Sequence, residues 1–416
     1  MSRPRRDPGL AEARTLDAAD PLRPLRRRFD LPKGVIYLDG NSLGAAPRAT
    51  HARLRAALRE EWADGLIRSW NAHDWIGAPA RIGAKIAQLI GAAPNEVIVA
   101  DSTSVNLFKL IVAALRHRSP RKAIVAEAGD FPTDGYVAQG VSELMAGVSL
   151  RLVAADRLPA AIDTGVAVVV LTEVNYRTGA RHDMRALTAQ AHAAGALIIW
   201  DLSHSAGAVE VDLRGACADL AVGCGYKYLN GGPGAPAYLF VAERLQSELA
   251  SPLTGWMGHA DPFEFSQDYR PAGGIERFLC GTPPVLSLLA LECGIDLFDG
   301  IDMAALADKG QRLCSYFIAE VETRCAGHGL ELATPRDPAR RGSQVSFRHP
   351  HAWAIMQAMI ERGVIGDFRA PDVLRCGFTP IYLGFADVWR AVEILRDILE
   401  TGVWREARFQ VRSRVT

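Results

Sequence analysis

Between residues 97 and 241 the chain repeats one pattern: a short apolar run, a polar or glycine-rich loop, then a stretch with helical spacing. Runs at 97–100, 123–126, 150–154, 166–172, 196–200, 219–222 and 237–241 read as strands, and 79–92, the pattern from 107 and 184–194 as helices. The run at 166–172 is nearly all apolar, as a central strand covered on both faces would be. Strands separated by helices imply an α/β fold with a mainly parallel sheet and helices on both faces. Ligands of such sheets bind at the carboxyl ends of the strands. Ser104, Phe131, Thr172 and Asp201 all fall just after expected strand ends, and this convergence is the strongest physical pointer to a site.

One stretch, Trp200 to Pro236, narrows the chemistry. An apolar run ends in Asp201, with His204 one turn on, and Lys227 follows 26 positions later (227 − 201), before a glycine-rich loop. An acid at a strand end and a later lysine are what pyridoxal phosphate requires: the carboxylate keeps the pyridine nitrogen protonated, and the amine forms the Schiff base. The plainer reading is an ordinary strand–helix unit with a capping Asp and a surface Lys. Thr103 and Ser104, between a strand and a helix, are helix caps by default. They also suit a phosphate, because free N–H groups and the dipole at a helix start favour anions.

The remaining chain sets boundaries. Its 416 residues suffice for two or three domains' worth of core, and 47 basic against 47 acidic side chains leave no net field favouring nucleic acid or anionic membranes. No apolar run approaches the roughly 20 residues of a membrane span. The start is basic but lacks an apolar core, so it is not read as a secretory signal, and the cytoplasm is the default location. Seven cysteines lie singly, without a C-x-x-C pair, which argues against a disulfide framework or a zinc site. Residues 1 to about 30 read as an arm, 35–47 as a strand and turn, and 48–63 as a helix. The loop at 68–75 carries Trp70, His73 and Trp75, equally a packed corner or a ligand wall. After 250 come loops, then helices at 285–298, 302–326 and 351–363, with strands at 344–347 and 373–375. The expected division is an arm and strand at 1–50 packing with the small domain, a large domain at 51–299 and a small C-terminal α+β domain at 300–416.

Several short motifs, in order along nearly the whole chain, resemble the class V branch of the fold type I pyridoxal phosphate enzymes, and within it the kynureninase family. They are YLDGNSLG at 37–44, GLIRSWN at 65–71, TSVNL at 103–107, FPTD at 131–134 and NYRTG at 175–179. WDLSHSAGAV at 200–209, GYKYLNGGPG at 225–234, GWMGH at 255–259, CGTPP at 280–284 and RCGFTPIY at 375–382 complete the series. The resemblance implies that Lys227 is the Schiff-base lysine and proton shuttle, that Asp201 holds the pyridinium proton, and that His204 lies nearby. It implies a phosphate site of Thr103, Ser104 and Tyr226, with Tyr226 also a candidate proton donor. Phe131 would stack on the ring, Asp134 would sit beside it, and Thr172 would lie near the cofactor face. Trp256 and Thr282 would complete the phosphate site of the neighbouring subunit, which makes a homodimer with shared sites. Arg375 would take the substrate α-carboxylate, since a guanidinium offers two parallel hydrogen bonds that Lys cannot. Asn41, Ser42, Trp70, His73 and Gly281 are candidates for the wall around the aryl group.

The reaction so implied is hydrolysis of the Cβ–Cγ bond of L-kynurenine, giving anthranilate and L-alanine in tryptophan breakdown, a biosynthetic route or both. Relative to some family members, Thr282 stands for Asn and Gly281 for Ser, which suggests a pocket tuned to kynurenine over its 3-hydroxy form. A cysteine desulfurase or selenocysteine lyase of the same fold branch is the nearest rival, and Cys280 or Cys376 would then be the nucleophile. A non-catalytic pyridoxal phosphate binder is the other, but it needs an appended domain that about 30 residues of arm cannot form.

Overall fold

The computed structural model describes residues 8–412 and divides into two compact units. The larger comprises Ala49–Tyr176 and His182–Asp299; the smaller comprises the chain up to Arg48, Arg177–Arg181 and Gly300 onward. The return of five residues, Arg177–Arg181, to the smaller unit is invisible in composition.

In the larger unit a seven-stranded sheet runs in the order Val97–Val99, Ala237–Val241, Leu220–Cys224, Leu197–Asp201, Val166–Thr172, Ala123–Glu127, Ser149–Val153. Ala237–Val241 is antiparallel to both its neighbours, and every other pairing is parallel. The α/β expectation of a mainly parallel sheet therefore holds. Val166–Thr172, rich in β-branched residues, is buried along its whole length. It sits mid-sheet because only a position covered on both faces removes all seven side chains from water. Gly83 brings the helix Ala78–Leu89 down on the strand Val97–Val99: a Cβ there would lie 2.3 Å from the carbonyl oxygen of Val97.

Two helices of this unit start at the sheet's carboxyl edge. Thr103–His117 is capped by Ser102, whose Oγ accepts from Val105 N at 3.4 Å, and it ends on Arg116 and His117, which suit the dipole there. Pro132–Leu144 begins with proline in its first turn. The sequence pattern does not mark this helix, because Gly135 and Gly140 weaken its periodic signal.

The smaller unit holds an antiparallel sheet ordered Asp367–Arg369, Val373–Gly377, Gln344–Arg348, Glu331–Leu332, and a parallel pair of Ile36–Tyr37 with Val364–Ile365. Helices Met303–Arg324, Ala352–Glu361 and Phe385–Thr401 pack with it. Within the expected arm, Pro8–Ala18 is a helix packed on Phe385–Thr401. Asp17 explains the docking, because its carboxylate accepts from Phe385 N at 2.6 Å and Ala386 N at 3.1 Å, capping the second helix from outside its own sequence. Lys309 then holds Asp20 at 2.6 Å. Residues 1–7 of the expected arm lie outside the described chain. The helix expected at 48–63 is α-helical over Arg48–Ala56 and continues in wider, π-type turns over Ala57–Gly65.

Candidate active site

At the carboxyl edge of the larger unit's sheet lies a cleft of about 130 Å³. Its wall includes Thr103, Ser104, Phe131, Asp134, Asp201, Tyr226 and Lys227, seven of the residues singled out in the sequence. Thr103 and Ser104 stand in the first turn of their helix, where backbone N–H groups lack helical acceptors. Asp201 is the last residue of its strand rather than the first beyond it, and it pairs in register with Thr172, the last residue of the neighbouring strand. Its Oδ1 accepts from Ser203 N at 2.7 Å. Lys227 is buried; its Nζ lies 3.5 Å from His204 Nε2, 5.7 Å from the Phe131 ring centre and 5.8 Å from that of Tyr226. Phe131 is braced edge-on by Tyr176 at 5.3 Å while leaving a good part of itself exposed.

Behind the wall stands a buried set of acids. Thr172 donates from Oγ1 to Asp134 Oδ2 at 3.2 Å and from its backbone N to Asp130 Oδ2 at 3.1 Å. Asp134 Oδ1 is buried without a hydrogen-bond partner. Burial, with the charges of Asp201 and Asp130, holds the Asp134 carboxyl well above the ordinary carboxylate range. Burial and then Glu127 push Asp130 up to about 7. Burial, followed by Cys224 and Asp201, raises the Tyr226 phenol above its usual value. Tyr226 thus carries its proton at neutral pH, and the Asp134 site favours the protonated carboxyl. Ser102, Thr133, Ser203 and Cys224 also line the cleft and were not singled out. Adjacency to named residues was their only sequence signal. Asp130 was likewise passed over, though it stands beside Phe131.

The other expected residues of this unit lie elsewhere. Trp256 and Thr282 do not line the cleft; both are exposed, and Trp256 stacks edge-on with Phe263 at 5.6 Å. Gly281 is exposed, with nothing within 4 Å of where a Cβ would sit. Trp70 packs against Trp75 at 5.9 Å, the corner arrangement, while His73 is exposed.

Arg375, Asn41 and Ser42 belong to the smaller unit. Arg375 is fully buried and held by Asp367, which stands directly opposite it in the antiparallel register. Its Nε donates to Asp367 Oδ1 at 2.7 Å, and its Nη2 donates to Asp367 Oδ2 and, at 2.7 Å, to Ser42 Oγ. Ser42 donates in turn to Asp367 Oδ2 at 2.8 Å, and Arg369 pairs with that same oxygen at 2.7 Å. Despite its burial, Arg375 first and then Arg369 hold Asp367 below the usual carboxylate range. Asn41 is buried, with Nδ2 3.5 Å from Gln344 Oε1 and Oδ1 unpartnered. Gly377 makes room for it: a Cβ there would lie 2.0 Å from Asn41 Oδ1. Sequence reading missed Asp367 because its partnership with Arg375 is cross-strand. Cys376 is completely buried, and burial drives its thiol far above the ordinary value, which removes it as a desulfurase nucleophile.

The donor set of the cleft fits pyridoxal phosphate. Hydroxyls and open N–H groups at a helix start meet a phosphate, Phe131 offers a ring face, Asp201 meets a pyridine nitrogen, and Lys227 brings an amine to an aldehyde. Solved structures agree on the fold. A cysteine desulfurase from Thermococcus onnurineus NA1 superposes with a TM-score of 0.75 at 20% identity, over 91% of this chain and 98% of that one. A structure described as a C-DES mutant with glycine covalently linked to its pyridoxal phosphate superposes at 0.78, with 16% identity over 89% and 99%. Fold and site together define a pyridoxal-phosphate-dependent enzyme of fold type I. Residues 306–395 match the kynureninase C-terminal domain model. Kynureninases from Burkholderia mallei and Pseudomonas fluorescens are 54% and 55% identical, over 97% and 96% of this chain and 99% and 98% of theirs. The chain belongs to the kynureninase family.

Proposed function

We propose that the chain hydrolyses L-kynurenine to anthranilate and L-alanine, using pyridoxal phosphate. The observation that carries this reading is the cleft wall of Lys227, Asp201 and Phe131 at the strand ends, in a chain more than half identical to kynureninases over nearly its full length. When bound, the cofactor supplies the electron sink that stabilises negative charge at the substrate's Cα and Cβ.

The chain's residues have the following parts. Lys227 anchors the cofactor and moves the Cα proton, its amine steered by His204. Asp201, fixed by Ser203 N, faces the pyridine nitrogen. Phe131 stacks on the ring, with Asp134 and Thr172 behind it. Thr103, Ser104 and Tyr226 hold the phosphate. Arg375 receives the α-carboxylate, with Ser42 hydrogen-bonded to it. Water adds at the γ-carbonyl, the Cβ–Cγ bond breaks, and a proton is delivered to Cβ. Tyr226, whose phenol is held protonated, is the donor we assign; such acid–base assistance is worth about 10²–10⁴-fold.

The active form is a homodimer in which Trp256 and Thr282 serve the neighbouring subunit's phosphate site. Supporting this is the exposed aromatic run of Trp256, Phe263 and Phe265, whose rings touch edge-on in sequence. We place the enzyme in the cytoplasm, in tryptophan catabolism. Among the described residues no helix is long and apolar enough to cross a membrane.

The test is fluorescence of the pyridoxal-phosphate-loaded protein mixed with L-kynurenine. Appearance of anthranilate with stoichiometric alanine is the expected result. Sulfide from L-cysteine with no anthranilate would instead assign the desulfurase reaction.

A further inference from the structure

The Arg375 cluster contains a carboxylate that the reaction leaves unused. Asp39 follows the strand Ile36–Tyr37 and bridges Gly377, with Gly377 N donating to Leu38 O at 2.7 Å. Residues two apart on a strand share a face, so Asp39 lies alongside the face that carries Arg375. Two guanidiniums, Arg375 and Arg369, then stand among two carboxylates, Asp367 and Asp39. The other titratable groups facing Asp39 are Tyr37 and Tyr382, both with phenols raised by burial, and the buried thiol of Cys376. With both carboxylates ionised the cluster is neutral.

A third carboxylate arriving at Arg375 would leave this buried cluster with an excess negative charge, which is expensive away from water. One acid must give way, and the hydrogen bonds decide which. Asp367 receives two bonds from Arg375, one from Arg369 and one from Ser42. Asp39 also meets Ser42, but that hydroxyl's one proton goes to Asp367, and Asp39 Oδ1 is buried without a partner. We propose that Asp39 is a positioning residue for Arg375 that yields to the substrate α-carboxylate, taking up one proton as that carboxylate binds. The proposal rests on the reading of Arg375 as the carboxylate receptor. Its energetics agree: burial and then Asp367 push the Asp39 carboxyl up to about 7, so little free energy separates its two states near neutrality.

The test uses 4-oxo-4-phenylbutanoate, which keeps the carboxylate, the γ-carbonyl and the aryl ring of kynurenine but has no amine to condense with the cofactor. Its binding to the pyridoxal-phosphate-loaded enzyme is measured calorimetrically in buffers of different ionisation enthalpy, which counts the protons exchanged. The expected result is close to one proton taken up per probe at about pH 8 and close to none at about pH 6, with affinity about tenfold lower at the higher pH. Asp39→Asn should abolish both the uptake and the pH dependence of affinity. Absence of uptake by the wild type at pH 8 overturns the proposal without recourse to any variant. Equal uptake by wild type and Asp39→Asn overturns it as well. Arg375→Gln separates this proposal from the reading beneath it. Full affinity in that variant removes Arg375 as the receptor, whereas lost affinity with a wild type that takes up no proton removes only the role of Asp39.

Discussion

The cleft of the larger unit and the arginine cluster of the smaller one solve opposite electrostatic problems. Around the cleft, Asp134, Asp130 and Asp201 are buried near one another, with little hydrogen bonding to spare, and two of the three carboxyls are raised. In the cluster, Asp367 is buried just as deeply, yet its carboxyl is lowered, because Arg375 and Arg369 meet it directly. Burial by itself raises both; a directly bonded guanidinium reverses the sign. The first environment favours the protonated form of Asp134 and Asp130 beside a lysine. The second holds a guanidinium rigidly by hydrogen bonds to Asp367 and Ser42.

The sharpest way to break this contrast is at its reactive amine. Lys227→Ala should lower turnover by roughly 10⁴-fold or more while circular dichroism stays native; anthranilate fluorescence measures it, and near-normal activity would remove the central assignment. Arg375→Lys should come next, with kcat/KM for kynurenine down about 100-fold, because an ammonium keeps the charge and loses the planar fork. Asp367→Ala tests stability rather than chemistry: it strands the fully buried Arg375 and should cost about 3–5 kcal/mol by urea denaturation.

A smaller and more diagnostic effect is the pH response of the two carboxyls. Asp134 is raised, so its contribution to stability falls as pH climbs above the unfolded value of roughly 4 toward the folded one. Asp134→Asn should therefore gain in Tm relative to the wild type as pH rises from about 5 to about 8. Asp367 is lowered, so its contribution is present above roughly 4 and fades below it. Asp367→Asn should be destabilised at neutral pH, and its deficit should shrink in acid. Profiles with the same slope would erase the comparison. Smallest of all is substrate preference: kynurenine should lead 3-hydroxykynurenine in kcat/KM, and a ratio of about tenfold the other way would refute the small-residue argument at 281–282.

Most of the larger unit was legible in the chain because its signals are local. A short, valine-rich apolar run such as 166–172 reads as a buried strand, and the alternation of strands and helices leaves few topologies open. Ligand positions follow from the strand ends, which is why Ser104, Phe131, Thr172 and Asp201 could be grouped from the sequence, although Thr172 stands behind the cleft wall on Asp134 and not in it. The helix Pro132–Leu144 escaped because its glycines mask its period. The Pro8–Ala18 helix escaped because what holds it is an aspartate capping a helix 368 positions away.

The sequence by itself determined the alternating sheet, the acid and lysine at its edge, and the family motifs, since each depends on neighbours a few residues apart. Only the tertiary structure decided that Asp367 clamps Arg375, that Asp39 is left with a buried, unpartnered oxygen beside them, and that the Asp134 and Asp130 carboxyls are raised. Those facts depend on strand register and burial, which sum over residues far apart in the chain and have no local signature.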